Sequence, residues 1–291
     1  MSATVVKRNH LWLHAGLIAF TLLTIYPLLW VLALAFSGQQ SVGIIDLPRD
    51  PTFFERLRGV IPWPAHWSIK NFADVWNEQP FGRWLLNSVI VSVMTTVLGV
   101  FLACTAAYAF SRFRFPGRDG GMLMFLVSQM FPGVLMLIPL FIIIVKWLNL
   151  GNSFWGLVIV YATTSIPFCV WMLKGYFDTI PYDIEESAII DGASPQTIFF
   201  RIILPLAKPA IAITALFSFM AAWNEFILAS VFMDSEENYT APVGLRFFVG
   251  GFSSQWGFFA AGSVIVSAPV VLLFLYLQKY LVSGLTAGSV K

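Results

Sequence analysis

The chain has 291 residues, 58% of them hydrophobic and 11% charged, with a formal net charge of +2. Ordinary soluble domains carry roughly 25% charged residues, so the composition excludes that class. The near-neutral balance gives no footprint for nucleic acid, and two isolated cysteines, Cys104 and Cys169, provide neither a disulfide framework nor a metal site.

Six apolar stretches are each long enough for a helix that crosses a bilayer core, which takes about 20 residues. They run approximately from Leu11 to Phe36, Trp84 to Phe110, Gly121 to Val145, Phe154 to Leu173, Pro209 to Met233 and Phe258 to Gln278. Among Asp, Glu, Lys and Arg, only Glu225 falls inside any of them. The expected fold class is therefore an all-α, multi-pass membrane protein of six transmembrane helices.

The first stretch follows Lys7 and Arg8 and contains Ala33-Leu34-Ala35, which resembles a signal-peptide cleavage site. A signal-peptide apolar core spans only about 7–15 residues, so this longer run reads as a retained span. The segment after it, Ser37 to Arg83, carries Pro48, Pro51, Pro62 and Pro64 and is expected to be irregular there. Ser68 then caps a short helix with Ile69, Phe72 and Trp76 on one face, packed on the outer surface of the bundle. After the second stretch, Arg112, Arg114 and Arg118 cluster in SRFRFPGR. Basic connections mark the cytoplasmic side, which puts both termini inside.

Between the fourth and fifth stretches lies EESAIIDGASPQTIFFRIILPLAKP, Glu185 to Pro209. Pro181 suits the first turn of a helix, and Asp183, Glu185 and Glu186 sit at its N-terminal end, where the dipole favours anions. Gly192 is expected to end that helix in the left-handed conformation. Ser194-Pro195 restarts a second helix, carrying Ile198, Phe199, Ile202 and Ile203, which Leu204-Pro205 breaks. Two short helices with a glycine elbow, acidic at one end and apolar elsewhere, form a knob suited to docking into a groove on a soluble partner.

In the fifth stretch, WNEF places Asn224 and Glu225 inside an apolar helix, with Ser218, Ala221, Ala222 and Ala229 on the carboxylate's face. Intramembrane charges face a bundle interior or a wet cavity, so Asn224 and Glu225 are candidates for the translocation path or a subunit seam. A purely structural bond from Glu225 to a helix end or hydroxyl explains the residue equally well. The segment Asp234 to Gly257 mixes glycines with Phe247, Phe248, Phe252 and Trp256, expected to be exposed and mobile enough for a partner's cleft. The tail from Ser283 to Lys291 reads as short, polar and flexible. No nucleophile–base constellation, P-loop or metal-ligand spacing appears in the sequence, so neither catalytic nor metal residues are expected, and any ATP hydrolysis falls to another chain.

Glu186-Ser187-Ala188, three residues, Gly192, nine residues, Ile202, one residue and Leu204-Pro205 together resemble the EAA signature of bacterial ABC importer permeases. Ser187 stands where that signature usually has alanine. Beyond it, AYAFSRFRFPG (Ala107 to Gly117), QMFP (Gln129 to Pro132), KGYF (Lys174 to Phe177) and GLTAG (Gly284 to Gly288) are similar to maltose permease subunits of the MalG type. The resemblance implies a type I ABC importer permease fold in the cell inner membrane. It implies a first helix and external segment over 1–83, a permease core over 84–281 with a coupling loop at 178–208, and a cytoplasmic tail over 282–291. It also implies a heterodimer with a second, larger permease subunit, two ABC ATPase subunits that hold the ATP and Mg, and an extracytoplasmic sugar-binding protein.

By the same resemblance, Glu185, Glu186, Ser187, Ala188, Asp191, Gly192, Ile202, Leu204 and Pro205 would couple to the ATPase. Phe247, Phe248, Gly250, Gly251 and Phe252 would enter the sugar-binding protein's cleft. Gly284, Thr286 and Gly288 would touch the ATPases. The implied function is import of maltose or maltodextrins, with trehalose or sucrose as alternatives on the same plan. An ion-coupled secondary transporter acting through Glu225 is the competing class, but the two halves of the chain do not echo each other as paired repeats would.

Overall fold

A computed structural model describes residues 11–43, 48–250 and 254–287, and all regular structure among them is helical. The long helix α1 (Leu11–Ala35) is followed by the short α2 (Phe53–Val60) and α3 (Lys70–Glu78). Next come α4 (Phe81–Arg112), α5 (Arg118–Met130), α6 (Leu137–Phe141) with a π-helical turn through Trp147, and α7 (Phe154–Phe177). Short pieces follow: α8 (Tyr182–Ile190), α9 (Pro195–Ile198), a π-helical turn at Phe199–Ile203 and α10 (Leu204–Leu206). The chain finishes with α11 (Lys208–Trp223), α12 (Ile227–Phe232), α13 (Ala241–Leu245) and α14 (Trp256–Ala287).

Four of these helices, α1, α4, α7 and α14, are long and apolar enough to cross a membrane. Two bent pairs raise the number to six if each pair is one span: Arg118–Met130 with Gly133–Trp147, bent by 101°, and Pro195–Leu206 with α11, bent by 77°. The third expected span is thus broken rather than straight. Pro132 drives the break, because a residue before proline is pushed to extended backbone, and Phe131 sits at φ −74°, ψ 130°.

Among the described residues, those within 1–79 and 245–266 form one compact body, and those within 80–244 and 267–287 another. In the first body, Asn71 is fully buried, and its side-chain amide donates to the carbonyls of Leu34 (3.3 Å) and Ala35 (3.2 Å). Both carbonyls lie at the end of α1, and the Leu34 oxygen also accepts from the Ser37 amide (3.2 Å) and hydroxyl (2.9 Å), so α3 and Ser37 together cap that end. The face of α3 differs from expectation: Ile69 and Trp76 are exposed, while Asn71 and Val75 are buried. Ser68 Oγ accepts from the Lys70 amide at 3.1 Å, but Ile69 occupies the cap position. The proline-rich stretch is also more regular than expected. Thr52 opens α2 between Pro51 and Pro62 with a full capping box to Glu55.

In the second body α4 packs along α7 and α11. Buried Cys104 and Cys169 lie in one apolar cluster that joins the foot of α4 to α7 and the segment after it. Near the other end of α4, Trp84 Nε1 donates to the Glu236 carbonyl (3.1 Å), and Asn87 donates to the carbonyls of Glu237 (2.8 Å) and Tyr239 (2.9 Å). The segment expected to be mobile is therefore fastened through its first part. Gly244 presses so closely that a Cβ there would lie 2.1 Å from the Trp84 ring. The tail departs from expectation too, because α14 continues through Gly284 and Thr286 to Ala287. Gly288 lies outside the described residues.

Gly244→Ala should cost about 1–3 kcal/mol through overpacking against Trp84. It should lower the melting temperature of the detergent-purified chain by several degrees. Gly120→Ala, in a helix with no neighbour within 4 Å of the new methyl, should leave it unchanged or slightly raised.

Candidate functional site

The segment after α7 folds as two short helices around an elbow. α8 starts after Pro181 with Asp183 and Glu185 in its first turn, and Gly192 follows it at φ +83°. That left-handed backbone is cheap for glycine and strained for a β-branched residue. Ser194 Oγ accepts from the Thr197 amide at 3.2 Å and Pro195 opens α9. Leu204-Pro205 does not break the second helix as expected. The helical run that begins at Pro195 passes through the π-helical turn Phe199–Ile203 and on through Pro205 to Leu206, and the chain turns at Ala207–Lys208 instead.

Burial sorts the signature residues into two sets. Glu186, Ser187, Asp191 and Gly192 are exposed, with the apolar tip of Ile189 (61%) and Ile190 (85%). Ser187 Oγ bonds back to the Asp183 carbonyl at 2.8 Å, so serine at that position meets no packing conflict. Ala188 is buried, Ile202 and Leu204 are half-buried, and Pro205 is exposed.

Glu185 departs from the expectation of an acidic docking end. It is buried and ion-paired with Arg112 Nε at the last turn of α4, both side chains being less than a tenth exposed. Tyr108 OH donates to its other oxygen at 2.9 Å. Arg112 Nη2 also donates to the Ile180 carbonyl (2.9 Å), and the guanidinium lies 4.5 Å from the centre of the Tyr182 ring. Tyr182 OH in turn donates to the Arg112 carbonyl at 3.2 Å. Beside them Ser111 Oγ and Lys174 Nζ donate to the two oxygens of Asp178, each at 2.6 Å. Partial burial pushes the Asp178 carboxyl up. The hydrogen bonds from Lys174 and Ser111 and the charges of Lys174 and Arg112 outweigh it, leaving the group below its ordinary value.

Sequence reading missed this cluster, taking Arg112 only as a topology signal. The signal was present: Tyr108 and Arg112 stand four apart on one face of a helix end, and a buried arginine needs an acid.

Asn224 and Glu225 lie in a break and not in a continuous helix, because α11 ends at Trp223 and α12 starts at Ile227. Glu225 Oε1 accepts from the Leu228 amide at 2.7 Å, and Tyr161 OH approaches the Glu225 carbonyl at 3.4 Å. The carboxylate thus serves a backbone donor freed by the break, the structural alternative of the two. Ser218, Ala221 and Ala222 therefore share no helical face with it. Asn224 is exposed, with its amide on the Met220 carbonyl at 2.9 Å. In the last region Phe247 is exposed (57%) and Gly250 is exposed, but Phe248, expected at the surface, is buried edge-on to Phe258. Gly251 and Phe252 lie outside the described residues.

Residues 79–287 match the family described as binding-protein-dependent transport system inner membrane component. The chain belongs to that family. It is a permease component of the inner membrane, not an enzyme. The galactooligosaccharides transport system permease protein GanQ of Bacillus subtilis (strain 168) is 39% identical over 94% of this chain and 93% of its own. The maltodextrin transport system permease protein MdxG of the same organism is 33% identical over 100% and 99%. The crystal structure of a bacterial ABC transporter that imports the acidic polysaccharide alginate superposes with a TM-score of 0.78 at 23% identity, over 96% of this permease and 99% of that chain. The type I importer permease fold is thereby shared.

Gly192→Val should strain the elbow by ~1–3 kcal/mol with no steric clash, since a Cβ there meets open space. Limited proteolysis of the purified permease should cut the segment 178–208 faster in Gly192→Val than in Gly192→Asn, whose side chain tolerates the left-handed region.

Proposed function

We propose that this permease is one of two membrane subunits of an ATP-driven importer of maltose and maltodextrins. Both termini face the cytoplasm, and the Glu185–Pro205 segment seats the permease on two ABC ATPase subunits that bind the ATP and Mg. A second, larger permease subunit completes the path, and an extracytoplasmic sugar-binding protein delivers the substrate. The observation that carries this reading is the exposed apolar tip Ile189-Ile190, flanked by Glu186 and Asp191, on a helix braced from behind by a buried ion pair. A membrane protein that presents such a knob at the end of its bundle has the shape and chemistry to fill a groove on a soluble partner. Ala188 packs inward so that the tip stands outward, and Gly192 sets the angle between the two short helices.

Near Glu225, the break between α11 and α12 leaves Asn224 exposed, and the proposal assigns it to the path or the seam with the second permease subunit. Phe247 and Gly250 are the residues of the outer segment available to a docked binding protein. Gly284 and Thr286 reach the ATPases as part of an extended helix rather than a loose tail.

Galacto-oligosaccharides are the second reading of the substrate, favoured by the 39% identity to the galactooligosaccharide permease against 33% to the maltodextrin one. Uptake of labelled maltose by cells expressing the complete transporter should be inhibited by maltotriose and not by a β-linked galacto-oligosaccharide. Inhibition by the galacto-oligosaccharide alone would assign the substrate to the second reading and leave the importer class standing.

A further inference from the structure

The exposed face of α8 is what a partner would touch, but a contact does work only if its movement reaches the spans. A helix joined to the bundle by apolar packing alone can slide or rock, since such packing is non-directional. α8 is joined differently. Its Glu185 is held at both oxygens, by the Arg112 guanidinium and by Tyr108 OH, and both donors belong to the last two turns of α4. The Arg112 side chain is itself held by the Ile180 carbonyl, which precedes α8, and lies against the ring of Tyr182, its first residue. Tyr182 then returns its hydroxyl to the Arg112 carbonyl. These bonds run in both directions and fix distance and orientation, which apolar contacts do not. A buried charge pair also resists separation, because parting it would leave either charge unpaired in an apolar core.

We propose that the Arg112–Glu185 pair is a rigid strut that fastens α8 to the foot of α4, so that displacement of α8 is passed directly to that span. Arg112, Glu185 and Tyr108 act as positioning residues for transport. The proposal rests on the coupling role given above to the α8 segment, and it adds the route by which movement leaves that segment. Glu185, one residue before the exposed Glu186, faces the bundle and works from behind the contact surface.

The test uses the complete transporter in membranes, with the double variant Arg112→Met/Glu185→Met. Replacing both members of a buried pair by apolar side chains removes the direction of the link without leaving a charge stranded, so the chain should insert and accumulate as the wild type does. Spin labels on cysteines placed at Ile184 and Arg114, both exposed and outside the docking tip, report how firmly α8 is held to the end of α4. The wild type should give one narrow distance distribution and the double variant a broad one. Sugar transported per ATP hydrolysed should fall at least threefold in the double variant, with ATPase subunits still bound. A narrow distribution in the double variant, or an unchanged transport ratio, would overturn the strut. Failure of the double variant to accumulate would overturn it too, by making the pair a folding requirement. Absence of ATP-driven uptake in the wild type would sink the importer reading instead, while the distance measurement would still decide the fastening.

Discussion

A hydrocarbon solvent offers backbone polar groups nothing to bond, so every interruption of a membrane helix must be satisfied from within the protein. Much of the detail in this permease follows from that constraint. Where α11 stops at Trp223, the carboxylate of Glu225 takes the amide of Leu228 and the Asn224 side chain takes the Met220 carbonyl. At the end of α1, the buried amide of Asn71 takes the carbonyls of Leu34 and Ala35. Polar side chains at these two helix ends thus answer backbone groups that the helices leave open. Glu225, the one acidic or basic residue inside an expected span, is the clearest instance.

The same economy applies at the foot of α4. Arg112, Glu185 and Tyr108 are costly to bury singly and stable together, because each satisfies a neighbour's donor or acceptor. Their joint effect is to hold the first turns of α8 fixed so that its C-terminal end, with Ile189 and Ile190, is presented in a defined orientation. Rigid support behind an exposed contact is what a part that transmits force needs, and Gly192 adds the angle at which the second short helix leaves. Local backbone chemistry shapes the knob, and a long-range ion pair anchors it.

How much of this could be read beforehand depended on the range of the interaction involved. The apolar stretches and the elbow at Gly192, Ser194 and Pro195 are legible because hydropathy, glycine and capping act over a few residues. The break at Asn224–Phe226 was hidden, since WNEF adds little polarity to an otherwise apolar run and a window average passes over it. The buried face of α3 was misread because Asn71 is drawn inward by carbonyls more than thirty residues away, against its own polarity. The partnership of Arg112 with Glu185 is likewise set by distant chain, which no local pattern records. Family membership, in contrast, rested on spacing over twenty residues and was legible in full.

The most direct test of the central claim is to reconstitute the permease with its partner subunits in liposomes, with loaded sugar-binding protein outside. ATP enclosed on the ATPase side, with no ion gradient, should drive sugar entry, and removing the ATP should abolish it whatever gradient is imposed. Entry driven by an ion gradient without ATP would contradict the account.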